Sequence, residues 1–133
     1  MDIEQFRDYC LSLPQATEDM PFGDDLLIYR IANKIFAGIS LQRPDTIVVK
    51  CQPDRALCLR DHYPEITPAW HWNKRHWNDI SLAGHLTDKQ IRQEVRHAYL
   101  QTIIQNVTPA SLRKSLLQTA ATLGITDDSE QFE

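Results

Sequence analysis

The chain has 133 residues, of which 42% are hydrophobic and 24% charged. That suits one domain with a real core and excludes disorder of the whole chain. The formal net charge of −4 argues against a strongly basic nucleic-acid binder, and no apolar run is long enough to cross a bilayer.

Charge is unevenly spread along the chain. Residues 1–29 carry one cation and seven acids, residues 30–114 thirteen cations and seven acids, and residues 115–133 four acids and no cation. A basic middle between acidic ends points to an anionic partner or to internal charge pairing. The first residues lack a basic stretch followed by an apolar one, and the three cysteines have no framework spacing. Both features imply a cytoplasmic protein with reduced thiols.

Ile3, Phe6, Tyr9, Cys10 and Leu13 share one helical face, Asp2 with Gln5 resembles a capping box, and Pro14 stops the run. A first helix over 3–13 is expected. A loop with Pro21 and Gly23 precedes a strand at 26–32. Asn33-Lys34 reads as a tight turn into a strand at 35–41, and Arg43-Pro44-Asp45 as a turn into a third strand at 46–50. Such short connections imply an antiparallel meander.

Pro53 suits the first turn of a second helix, which Tyr63-Pro64 ends. The stretch from Trp70 to Asn78, leading into Asp79-Ile80-Ser81-Leu82, reads as a further hairpin or strand pair. Thr87 with Gln90 opens a long helix carrying Ile91, Val95, Ala98, Tyr99 and Thr102 on one face. Thr108 and Pro109 fit the N-cap and N1 positions of a last helix, with Leu112, Leu116, Leu117 and Ala120 buried and Gly124 just past its end. The expected fold is α+β: two layers, an antiparallel sheet with helices on one face. Residues 1–125 form the domain, and 126–133 an acidic tail expected to be mobile.

The most unusual segment is Trp70-His71-Trp72-Asn73-Lys74-Arg75-His76-Trp77-Asn78, which holds all three tryptophans. Cations neutralise phosphates, aromatic rings stack on bases, and Asn and Arg can bond base edges. Two readings stand. The segment is an exposed nucleic-acid contact, or its tryptophans bury into the core while Lys74 and Arg75 decorate a turn. Asp24 and Asp25 beside Gly23 read as a turn. Cys58 and His62 are one helical turn apart and could face each other, but a cysteine between leucines is ordinarily an apolar core residue. His62, His85 and His97 read as surface or helix histidines. No metal-ligand spacing, phosphate loop or nucleophile elbow is present.

Four pieces resemble the MmcQ/YjbR family of small bacterial proteins. They are Phe6 to Pro14, Pro21-Phe22-Gly23 with the strand ending in Tyr29-Arg30, Lys50 to Ala56 with Leu59-Arg60, and Pro68 to Trp77. The resemblance covers residues 1–107. It implies a CyaY/frataxin-like fold and a DNA-binding role through wing-like hairpins. Iron binding does not carry over, because the first helix offers only Asp2, Glu4 and Asp8 as acids, too few for an acidic ridge. The leading expectation is a non-enzymatic protein, without metal or cofactor, that binds DNA weakly. Its contact residues would be Lys34, Arg43, Lys50, His71, Trp72, Asn73, Lys74, Arg75, His76 and Trp77. The alternatives are a protein-interaction or small-ligand adaptor using the same aromatic face, or an enzyme with a concave pocket. Burial of the tryptophans would remove support from both binding readings, and a pocket flanked by them with His71 and His76 would favour an enzyme or a small ligand.

Overall fold

The computed structural model describes residues 1–127. A six-stranded sheet of order β1-β2-β3-β4-β6-β5, antiparallel throughout, is accompanied by four helices. The strands are β1 (Thr17–Asp19), β2 (Leu26–Ile31), β3 (Lys34–Ser40), β4 (Thr46–Lys50), β5 (Ile66–Pro68) and β6 (Trp77–Ser81). The helices are α1 (Ile3–Ser12), α2 (Pro53–His62), α3 (Asp88–Asn106) and α4 (Ala110–Thr122). The α+β class and the antiparallel meander expected from sequence are present. Both edge strands have three residues, and one of them carries Pro68, so little unpaired backbone is offered to other chains.

Side chains alternate across a strand, so each strand feeds two faces. Leu27, Tyr29 and Ile31 of β2, Ile47 and Val49 of β4, and Ile80 of β6 join one buried cluster with Phe6 and Cys10 of α1 and Val95, Tyr99 and Ile103 of α3. In β3 a bulge opposite Tyr29/Arg30 leaves Phe36 unpaired. It sends both Phe36 and Ala37 into that cluster, where Phe36 meets Tyr99 edge-to-face at 5.5 Å.

Charged groups on this side find partners, while the buried Asn78 has no hydrogen-bond partner for its Nδ2 among the described residues. Glu18 accepts from Arg7 Nε at 3.0 Å and from Tyr29 Oη at 2.7 Å, tying β1 to α1 and β2. Arg55 of α2 and Glu94 of α3 form a buried bidentate pair.

Several details depart from expectation. Thr17–Asp19, read as loop, is a strand whose partners are Arg30, Tyr29 and Ile28. The first hairpin turns at Ala32-Asn33, both left-handed (φ 48° and 67°), not at Asn33-Lys34. The Thr108-Pro109 peptide is cis, and Pro109 is the N-cap of α4 rather than N1, without a side-chain cap. Leu112, expected in the core, is exposed, while Leu116 and Ala120 are buried and Gly124 has the positive φ of a residue just past a helix end. His97, read as a surface or helix histidine, is on α3 but buried: its Nε2 accepts from Gln52 N–H at 3.1 Å, and its Nδ1 lies 2.9 Å from Asp127 Oδ2. The start of the expected tail therefore contacts α3, and residues 128–133 lie outside the described residues.

Candidate functional site

The face of the sheet away from the helices holds a second set of side chains. Gly38 sits between Ile28 and Val48 across its neighbours, and a Cβ placed on it would lie 3.2 Å from Ile28 Cδ1 and 3.3 Å from Val48 Cγ1. Val48 pairs in turn with Asp79. Gly38, Val48 and Asp79 of this row lie on the floor of a pocket of about 300 Å³. Asp25, Leu26, Ser40 and Thr46 line it, with Gln42 and Arg43 from the β3–β4 turn. Trp70, His71 and Trp72, from the loop between β5 and β6, complete the lining.

That loop is fixed from beneath. Arg60 of α2 donates from Nε to Asn78 Oδ1 at 2.7 Å, and from Nη2 to the carbonyls of Lys74 and Trp77. Cys51 N–H donates to the His76 carbonyl at 2.8 Å. Lys74 turns inward, its ammonium donating to the carbonyls of Ala69 at 2.9 Å and Trp70 at 3.1 Å. Asn73 Oδ1 accepts from Arg75 N–H at 2.9 Å and closes a turn. The segment is thus the braced loop that joins β5 to β6, an antiparallel strand pair as expected, although its first strand lies before Trp70.

The tryptophans follow neither simple reading. Trp70 is 69% exposed, with its ring stacked on His71 at 5.5 Å and 14°. Trp72 and Trp77 are half-buried, with ring centroids 4.7 Å apart. None of the three joins the core cluster.

Asp79 is the pocket's distinctive polar group. It is half-buried, and its one hydrogen bond among the described residues comes from Trp70 N–H at 3.3 Å. Burial raises its carboxyl above the ordinary range. The Trp70 N–H and the charges of Arg43, His71 and Lys74 oppose that rise without cancelling it. Two local signals could have found this site: a glycine in the middle of a β-branched strand, and a carboxylate at an alternating position in Trp77-Asn78-Asp79-Ile80.

The ten residues expected to contact nucleic acid are not brought to one surface. Lys34 is the first residue of β3, next to the β2–β3 turn, and Lys50 lies at the end of β4 nearest it. Arg43 lies beyond the opposite end of β3, about 20 Å away for seven extended residues. Lys50 bonds Asn106 Oδ1 at the end of α3, with its Nζ 6.0 Å from the Trp77 ring centre, and burial lowers its pKa. Of the ten, Arg43, His71 and Trp72 meet at the pocket, Trp77 packs at a tilt against Trp72, and Asn73, Lys74, Arg75 and His76 build the loop. Among the described residues no group of three or more His, Cys, Asp or Glu is placed to hold a metal ion. His62 Nδ1 lies 2.8 Å from the Cys58 carbonyl oxygen, and the three thiols are unpaired.

Known proteins share this architecture. The chain is 29% identical to the Escherichia coli K12 protein YjbR over 119 residues, 89% of this chain and 99% of that one. It is 28% identical to the protein YbdF of Escherichia coli O157:H7 over 97 residues, 72% of this chain and 80% of the other. Among solved structures it is similar to Deinococcus radiodurans protein DR2400, with a DUF419 domain, at a TM-score of 0.79 and 28% identity over 86% of each chain. A Pseudomonas syringae protein superposes with a TM-score of 0.66 at 28% identity, covering 77% of this chain and 99% of that one. The YjbR family model matches residues 11–101, a span running from α1 through the braced loop into α3, and the chain belongs to the YjbR family.

Proposed function

We propose that this YjbR-family protein binds a small ligand in the pocket between the open sheet face and the Trp70–Trp72 loop, without catalysing its conversion. The observation that carries the reading is a concave site of about 300 Å³ with two aromatic side walls and an under-bonded carboxylate. Sites of this kind combine apolar walls with a few placed polar groups, and 300 Å³ lies at the small end of their range. Among the described residues no hydrogen bond links Asp79, His71 and Ser40 into an acid, a base and a nucleophile, which favours binding over chemistry.

DNA binding is the second reading. The exposed Trp70 ring and the exposed Arg75 of the same loop support it. The inward turn of Lys74, the separation of Lys34 and Lys50 from Arg43, and the net charge of −4 weigh against an extended duplex contact.

A nitrogen-15 NMR titration separates the two. A panel of small heteroaromatic compounds and organic cations is expected to shift the amides of Gly38, Ser40, Thr46, Val48 and Asp79. A twelve-base-pair duplex is expected to leave them in place. Shifts with the duplex alone, confined to Trp70 through Arg75 and weakening with salt, would replace the ligand reading by DNA binding.

A further inference from the structure

The charges around the pocket narrow the class of its ligand, on the reading that the pocket binds one. Aromatic walls beside a carboxylate suit two kinds of guest: an organic cation, or a flat ring with N–H donors on its edge. An organic cation needs a site of net negative charge. Here Asp25 and Asp79 are balanced by Arg43 on the rim and by Lys74 behind Trp70, so the site is close to neutral. A neutral edge that donates to Asp79 does not meet that opposition.

Asp79 has room for such an edge. One of its oxygens takes a single long bond from Trp70 N–H, and the other has no partner among the described residues. A carboxylate in this state accepts two parallel N–H donors well. Arg43, on the same rim, is exposed and offers a fork of donors suited to an anion. Asp79 lies across β4 from the turn that carries Arg43, so one elongated guest can reach both.

We propose that the pocket recognises a 2-amino-oxo heteroaromatic ring of the guanine type, carried on a mononucleotide. The ring lies against Trp70 and Trp72, its adjacent N–H groups donate to Asp79, and its phosphate meets Arg43. The adenine edge places a ring acceptor where guanine has N1–H, so the same carboxylate rejects it.

Isothermal titration of the full chain with GMP, IMP, AMP, guanosine and tetramethylammonium tests this. GMP is expected to bind best, with AMP about ten- to a hundred-fold weaker, the discrimination of one good bidentate contact. IMP, which keeps N1–H and lacks the amino group, is expected to fall between them. Asp79→Asn should erase the preference for GMP over AMP. Arg43→Ala should weaken GMP and leave guanosine unchanged. The nucleotide series on the unaltered protein remains decisive if Asp79→Asn fails to fold. Equal affinity for GMP and AMP, or a preference that survives Asp79→Asn in a folded variant, overturns the inference. Binding of tetramethylammonium without GMP overturns it too, while the pocket reading survives. If none of the five binds and the NMR panel is also silent, both fall.

Discussion

The two faces of the sheet are built from the same strands and obey different rules. Under the helices, Phe36, Tyr29, Ile47 and Ile80 pack with no exposed area, and the charged groups there are paired: Arg55 with Glu94, Arg7 with Glu18. On the open face a carboxylate keeps one long hydrogen bond, a glycine stands where a Cβ would crowd Ile28 and Val48, and a tryptophan stands in solvent. The covered face is arranged for stability. The open face leaves interactions unmade, and unmade interactions are what a ligand can complete.

The largest expected effect attacks the covered face. Glu94→Ala leaves Arg55 buried without its carboxylate and is expected to cost about 3–5 kcal/mol of unfolding free energy in denaturant titration. Replacing both partners, as Arg55→Met with Glu94→Leu, should recover most of that loss, because two apolar groups of similar size need no partner. A single variant costing under about 1 kcal/mol would mean that the pair is solvated and that the faces differ less than their burial suggests.

Arg60→Ala comes next and tests whether the two faces are coupled. Its guanidinium on the helix side holds the loop that closes the pocket on the other. Loss of these charge-assisted bonds is expected to cost about 1–3 kcal/mol. It should also broaden the amide resonances of Trp70 through Lys74, and a rigid loop in this variant would show that the Lys74 and Cys51 hydrogen bonds and the packing of Trp72 on Trp77 suffice without it.

Acid titration gives the two faces opposite signs. The Arg7 hydrogen bond holds Glu18 below the ordinary carboxylate range, ahead of the Tyr29 hydroxyl. Its stabilisation is therefore present above an unfolded value of about 4.3 and is lost as pH falls through the folded value. Asp79 is raised by burial, so its folded form holds the proton more tightly than the unfolded form. Stability falls as pH rises from about 3.9 through the folded value. Glu18→Gln should flatten the acid limb of a stability profile. Asp79→Asn should gain stability relative to the parent as pH rises through that interval and hold the gain above it. A gain for Asp79→Asn that is equal at pH 3 and pH 7 would remove the electrostatic account.

The same contrast explains what could be read from the sequence. Val48, Val49 and Ile47, the capping residues Asp2 and Thr87, and the period of Ile91, Val95 and Ala98 carry local signals, so the meander and the helices were legible. Thr17–Asp19 was not, because three polar residues become a strand only by pairing with β2. The aromatic loop was legible as unusual, but its geometry depends on Arg60, fourteen residues before Lys74, and on Cys51. Cations look alike in sequence whether they reach out or turn in: Lys74 and Arg75 are neighbours with opposite fates.

That pair supplies the smallest and last prediction. Lys74 donates to two carbonyls inside the loop, so Lys74→Ala is expected to cost about 1 kcal/mol and to disturb the Trp70 resonances. Arg75 is exposed and contributes its backbone N–H to Asn73, which alanine keeps, so Arg75→Ala should change stability by no more than about 0.5 kcal/mol. Binding should part the two in the same way. If the pocket is the site, Lys74→Ala weakens ligand binding by loosening its wall and Arg75→Ala does nothing. If nucleic acid is the ligand, Arg75→Ala lowers affinity and reduces the salt slope by about 1, the signature of one lost phosphate contact. A stable Arg75→Ala variant with a reduced slope would move the functional surface from the pocket to the tip of the loop.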